Sequence, residues 1–296
     1  MRLCWTRCAR PKSLPLACDH HQRSYSLTPL LQRAKAVLES AEPASKCKAA
    51  RDALTALDDA PAGGQGEPVA CIDLPAAPAR PEAPALKRPG DMPRRRLSSR
   101  AGRVALLHAV AHIEFNAIDL AFDMAARFAP AISDAGLDAQ RFIKDWFHVG
   151  ADEARHFGMI CTRLCDLGAV YGDLPAHNGL WEAARSTSGD ALARLAIAPM
   201  VLEARGLDVT PGMIEKLKAA GDAQSASVLS VIYDEEIGHV ATGARWFSAL
   251  CAARGQAPQE TFRNMVKTYF AGGLKPPFND EARAQAGLNP AFYQAL

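Results

Sequence analysis

The chain lacks any run of about 20 uninterrupted apolar residues, so a membrane span is not expected. It carries little net charge, +2 over 296 residues, which is too small to make nucleic acid or anionic lipid a default partner without a local patch. Its eight cysteines, scattered from Cys4 to Cys251, lack the dense spacing of a small secreted disulfide scaffold, which points to a reducing cytoplasm. Cys161 and Cys165 stand four apart, yet no Cys-x-x-Cys or histidine pair completes a zinc set, and they read as reduced packing cysteines. Neither a flavin motif nor a dinucleotide fingerprint is present, so redox chemistry would need an external electron donor. Few β-branched runs speak for strands. What remains, 49% apolar and 22% charged residues, is the balance of an ordinary globular chain.

Five segments follow from the pattern. Residues 1–26 hold Arg2, Arg7, Arg10, Lys12 and Arg23 with no acid before Asp19, a composition like a transit peptide. The amphipathic pattern is poor, and the segment reads as a disordered extension. Over 27–57 the apolar residues Leu30, Leu31, Ala34, Val37 and Leu38, then Ala50, Ala53, Leu54 and Leu57, recur at helical spacing and predict a short helical pair. Prolines recur from Pro61 to Pro93, so 58–96 reads as a Pro/Ala-rich connector laid along the body. Residues 97–253 predict a four-helix bundle, and 254–296 a C-terminal helix and tail. Within them helices are expected at 97–129, 138–167, 189–206, 211–220, 222–253 and 258–270. Pro130 is read as closing the first and Asp138 as capping the second. Gly168 to Gly189 makes a long crossover, and Pro211 starts a fresh helix after a break at Asp208 and Thr210.

Two of these helices carry Glu-x-x-His: Glu153 with His156, and Glu236 with His239. A spacing of three puts carboxylate and imidazole on one helix face, where both can reach one metal ion. One such motif is weak evidence, because helix surfaces produce it often. Two, each centred in a long apolar helix, are harder to dismiss. Glu114 lies on the apolar stripe made by Leu107, Val110, Ala111, Ala117, Ile118 and Ala121. Glu203 follows Leu195, Ala196, Pro199 and Met200 in the same way. Four core-facing carboxylates repel one another unless cations compensate them, and two divalent ions would do so. The competing reading is a set of buried ion pairs with arginines such as Arg155 and Arg205. On the metal reading Glu153 and Glu236 bridge, Glu114 and Glu203 are terminal, and each ion takes one histidine.

Asp152 and Glu235, each one residue before a ligand glutamate, could turn toward the histidine of the opposite helix and fix its tautomer. Tyr233, three residues before Glu236, could approach the ions or simply pack. His108 and His112, which flank Glu114, read as polar helix residues, with an outer-shell or substrate contact as the alternative. Lys87, Arg88, Arg94, Arg95, Arg96, Arg100 and Arg103 form a basic run that reads either as a solvated charge run or as a phosphate-binding patch.

The order Glu, Glu-x-x-His, Glu, Glu-x-x-His resembles the ferritin-like di-iron carboxylate superfamily, and Asp152 to His156 is similar to its Asp-Glu-x-Arg-His motif. More narrowly, His112 to Asp119, Met200 to Asp208 and Pro276 to Arg283 resemble the bacterial domain-of-unknown-function family numbered 455, from about Leu27 to the C-terminus. The resemblance implies an all-α, ferritin-like four-helix bundle with added terminal helices and two iron ions, or manganese, held by Glu114, Glu153, His156, Glu203, Glu236 and His239. The expected activity is an oxidoreductase activating dioxygen for hydroxylation or desaturation, acting on a small molecule or on tRNA as certain di-iron hydroxylases do. Iron handling, as ferroxidase or store, uses the same ligands. Storage needs a shell of many subunits, and the added segments would obstruct one, so a monomer or dimer is expected.

Overall fold

The computed structural model describes residues 26–58, 69–88 and 96–294. The expected N-terminal extension falls outside them apart from Ser26, and so do 59–68 and 89–95 of the connector. Every regular element among the described residues is helical. α1 (Thr28–Glu39) and α2 (Pro43–Asp58) form a hairpin. α1 buries Leu30, Leu31, Ala34, Val37 and Leu38, the stripe its spacing predicts.

α3 (Arg100–Asp134) begins where Ser99 accepts from the amide of Gly102, and α4 (Ala139–Asp166) begins where Asp138 accepts from that of Arg141. Both caps satisfy amide groups that have no partner inside the helix. The crossover contains a short helix the sequence did not signal, α5 (Gly179–Ser186), which buries Trp181. α6 (Ala191–Ile197) runs into a π-helical stretch, Ala198–Glu203, and on into α7 (Ala204–Ala219). α8 (Ala223–Ala253) is capped by Asp222 on the amide of Ser225, and α9 (Pro258–Tyr269), α10 (Asp280–Gln285) and a 3₁₀ turn at Pro290–Phe292 complete the chain.

Short turns make α3 antiparallel to α4 and α7 antiparallel to α8, and α4 packs on α8 to join the two hairpins. The α1–α2 hairpin lies outside this bundle, α1 on α3 and α2 on α4. The connector forms a strap. Its Ala79 amide donates to the Leu38 carbonyl at 2.7 Å. Lys87 donates to the Ala176 carbonyl at 2.7 Å, and the Ala176 amide returns a bond to Ala85. α3 is the one described helix long and apolar enough to cross a membrane, but it lies mostly buried as the core helix.

Two expected helix ends are not where the prolines suggested. α3 continues through Pro130 to Asp134, and α7 continues through Pro211. A proline inside a helix costs about 3 kcal/mol, whereas each large apolar side chain buried returns about 1.5–3 kcal/mol. Phe128 and Ile132 are buried around Pro130, and Leu207, Ile214 and Leu217 around Pro211. The carbonyl that Pro211 cannot bond, that of Leu207, accepts instead from Nδ2 of Asn279 at 3.2 Å. Asp208 does not break the helix. It is fully buried, pairs with Arg283 at 2.7 Å, and accepts from the Asn279 amide at 2.9 Å.

Buried ion pairs tie the layers together. Lys46 of α2 pairs with Asp119 of α3, and Arg194 of α6 pairs with Asp123, which also holds Arg127 at 2.7 Å. The Lys46–Asp119 and Arg194–Asp123 pairs were not evident in the sequence, because they join residues 73 and 71 positions apart, whereas Arg127 lies one helical turn from Asp123.

Candidate metal centre

Four helical segments deliver six side chains to one buried place: Glu114 from α3, Glu153 and His156 from α4, Glu203 from the last π-helical position, and Glu236 and His239 from α8. Atoms of Glu114, Glu153, His156 and Glu236 lie within 4.8 Å of one another. His156 Nδ1 stands 3.4 Å from Glu114 Oε2, 3.5 Å from Glu153 Oε2 and 3.8 Å from Glu236 Oε1. His239 Nδ1 stands 3.1 Å from Glu153 Oε1 and 3.4 Å from Glu236 Oε1. Glu153 thus offers one oxygen to each histidine, and a single oxygen of Glu236 faces both. Glu114 faces His156 alone. Glu203 stands outside the close quartet, with its Oε2 shielded from solvent and unbonded.

Polar atoms without partners concentrate here. Oε2 of Glu114, both carboxylate oxygens of Glu153, Oε2 of Glu203, Nδ1 of His156 and both ring nitrogens of His239 are buried without a hydrogen bond. In proteins at large such orphans are rare and call for a water or an ion. The electrostatics agree. Burial, then Glu153, pushes the Glu114 carboxyl well above its ordinary value, and burial, then Glu236, does the same to Glu203. Burial opposes ionisation of Glu153 as well, but His239 and His156 outweigh it and hold its carboxyl well below the usual range. Burial disfavours a charged His156, yet Glu114 and Glu153 overcome this and raise its pKa to about 11.

The arginines do not supply the missing charge. Arg155 pairs with Asp152 at 3.1 Å and with Glu235, on the outer side of the site. Arg205 bonds Asp208 at 3.4 Å and the carbonyls of Lys275 and Pro277. Among the described residues no lysine or arginine pairs with any of the four glutamates. A divalent cation favours carboxylate oxygen and neutral imidazole nitrogen, so this donor set fits one or two such ions.

The outer shell crosses between helices. His156 Nε2 lies 2.6 Å from Glu235 of α8, and His239 Nε2 lies 3.6 Å from Asp152 of α4. Each imidazole thus turns Nδ1 to the carboxylates and Nε2 to an acid of the opposite helix, with Arg155 linking the two acids. Tyr233 is turned to the C-terminal segment, its hydroxyl accepting from Asn279 at 2.9 Å. His108 and His112 are buried polar residues of α3. His108 Nε2 accepts from the amide of Gly172 at 2.9 Å, and His112 Nδ1 meets the Tyr171 hydroxyl at 2.8 Å, so both latch the crossover. The basic run is divided. Arg100 bonds the Leu167 carbonyl and Arg103 pairs with Asp222 at 3.0 Å, whereas Lys87, Arg88 and Arg96 are exposed and Arg94 and Arg95 lie outside the described residues.

The family described as "Protein of unknown function (DUF455)" matches residues 39–294. The chain belongs to that family. A relative, an "Uncharacterized protein" of Haemophilus influenzae, is 37% identical over 271 residues, covering 88% of this chain and 91% of its own. No solved structure matches. The DUF455 match takes in all six residues of the candidate centre together with Asp152, Arg155 and Glu235.

Proposed function

We propose that this chain is a ferritin-like protein that holds two iron ions and works as an oxidoreductase, activating dioxygen to hydroxylate or desaturate an organic substrate. The observation that carries the reading is a set of four glutamates and two histidines of which Glu114, Glu153, Glu203, His156 and His239 hold buried polar atoms without a hydrogen bond, and none of which has a lysine or arginine partner among the described residues. Four carboxylates balance two divalent cations. Glu153 and Glu236, each facing both histidines, suit bridging positions, and Glu114 and Glu203 suit terminal ones. A reduced iron pair, when bound, supplies electrons and open positions for dioxygen.

The chain's own part is to hold and enclose. Glu235, 2.6 Å from Nε2 of His156, would fix the tautomer in which that imidazole presents Nδ1, and Asp152 stands 3.6 Å from Nε2 of His239, placed to do the same once the site is filled. Ile118, Val149 and Ile232 are buried apolar residues on the ligand-bearing helices, and they would keep bulk water out. The described cysteines are all free, which suits a reducing cytoplasm and an external electron donor. Metal analysis of protein purified without chelator, followed by Mössbauer spectroscopy and by mixing the reduced protein with oxygen, tests the proposal. Two coupled iron ions per chain that are oxidised on mixing are expected. Two manganese ions would change the metal assigned, and a metal-free protein that takes up neither ion would end the reading.

A further inference from the structure

We propose that the cavity under the strap binds a small, flat carboxylic acid, with Arg80 as its charge partner and the rings of Phe115 and Tyr171 as its bed. The cavity measures about 200 Å³ and lies between the strap at Arg80 to Leu86, α3 at His112 and Phe115, and Tyr171 of the crossover. It is separate from the metal centre. Glu114 turns toward His156 and α4, whereas His112 and Phe115, three apart, share the side of α3 that meets the strap.

Charge selects the ligand. Three charged groups gather beneath the strap: Lys46, Asp119 and Arg80. Lys46 and Asp119 pair with each other. The one hydrogen bond of Arg80 among the described residues goes to a neutral amide, Oδ1 of Asn116 at 2.5 Å, and no carboxylate pairs with it. Asn116 is itself fixed, donating Nδ2 to the His112 carbonyl at 2.6 Å. Glu82, the other charged residue of the wall, is exposed. His112 contributes no charge, because burial and Arg80 lower its pKa to about 4, and its buried Nε2 has no hydrogen-bond partner. Asp119 attracts Lys46 and Arg80 alike, so the three groups together keep one positive charge in excess, and the planar fork of Arg80 matches a carboxylate.

Shape selects the rest. Phe115 and Tyr171 stand 5.6 Å apart and tilted, while Pro81, Pro84 and Leu86 close the cavity from above. An apolar cavity of about 150 Å³ holds benzene, so this one has room for a one-ring acid and too little for a nucleotide. A compact hydrated anion such as phosphate would leave the aromatic bed unused.

The test is calorimetric titration of the full-length chain with benzoate, benzyl alcohol and inorganic phosphate. Benzoate should bind one per chain, with benzyl alcohol and phosphate each at least about tenfold weaker. Arg80→Gln should weaken benzoate by about tenfold or more, and Arg80→Lys by less. Ala85→Trp, which fills the cavity and keeps the arginine, should also abolish binding. Circular dichroism shows whether each variant folds. No saturation at about 10 mM benzoate by the folded wild-type chain would overturn the proposal. Equal affinity in Arg80→Gln, or phosphate binding as tightly as benzoate, would do so too.

Discussion

Glu153 has His239 at 3.1 Å from one carboxylate oxygen and His156 at 3.5 Å from the other, so a change there reaches both halves of the centre at once. Glu153→Gln should therefore bind less than one ion per chain while keeping its helical content, read by elemental analysis and circular dichroism. Retention of two ions would show that Glu153 is not shared. Asp152→Asn and Glu235→Gln leave every proposed ligand in place and remove only what holds the imidazoles. Each should lower metal affinity by about 10–100-fold in competition with a chelator, and unchanged affinity would make these acids mere surface groups. Glu114 and Glu203, whose carboxyls lie well above the ordinary value of 4.5, bind protons more tightly folded than unfolded. Their contribution to the stability of metal-stripped protein is full below the unfolded value and is lost as pH rises through the raised folded values. As pH rises above the ordinary carboxyl value of 4.5, the stripped wild type should lose melting temperature more steeply than a Glu114→Gln/Glu203→Gln double variant. Parallel calorimetric slopes would contradict this.

The π-helical stretch Ala198–Glu203 has Pro199, which cannot donate to the carbonyl four residues back, as its second residue and ends at Glu203. It is held from the other side by Gly243 of α8, where an added Cβ would come within 2.3 Å of the Pro199 Cγ. A proline ring has little freedom to retreat. Gly243→Ala should therefore displace the stretch that carries Glu203, costing about 1–3 kcal/mol and reducing bound metal from two ions toward one. A variant that still holds two ions would show that this contact does not set Glu203. Sequence patterns gave a faithful view of elements whose cause is local. The Glu-x-x-His spacing, the Asp138 cap and the stripe of α1 depend on neighbours within a turn or two. Pro130 and Pro211 misled because burial and the distant Asn279 offset a local penalty. Helix α5 passed unnoticed because it is too short for periodicity to register.

Lys46 and Asp119 join the N-terminal hairpin to the bundle, and both side chains are fully buried. Burial lowers the pKa of Lys46 and raises that of Asp119 to about 6, while each opposes the shift in the other. Removing one partner of such a pair typically costs about 3–5 kcal/mol, because the other charge is left in an apolar setting. Lys46→Met should lose about that much in urea unfolding, and Lys46→Met/Asp119→Leu should recover most of it. A loss below about 1 kcal/mol in the single variant would place the pair in the class of exposed bridges. Contacts at this range explain why so much of the candidate centre's surroundings escaped the sequence. Arg155 was visible as a neighbour of Glu153 and His156, but its grip on Glu235, the latching of the crossover by His108 and His112, and the partners of Asp119 depend on where distant segments meet.

The strap shares that character. Fastened to Leu38 at one end and to Ala176 at the other, it closes hairpin, connector and crossover into a loop like a buckled belt. Undoing either clasp would slacken the other, and the benzoate-sized cavity would lose its roof while the ligand-bearing helices stayed in register.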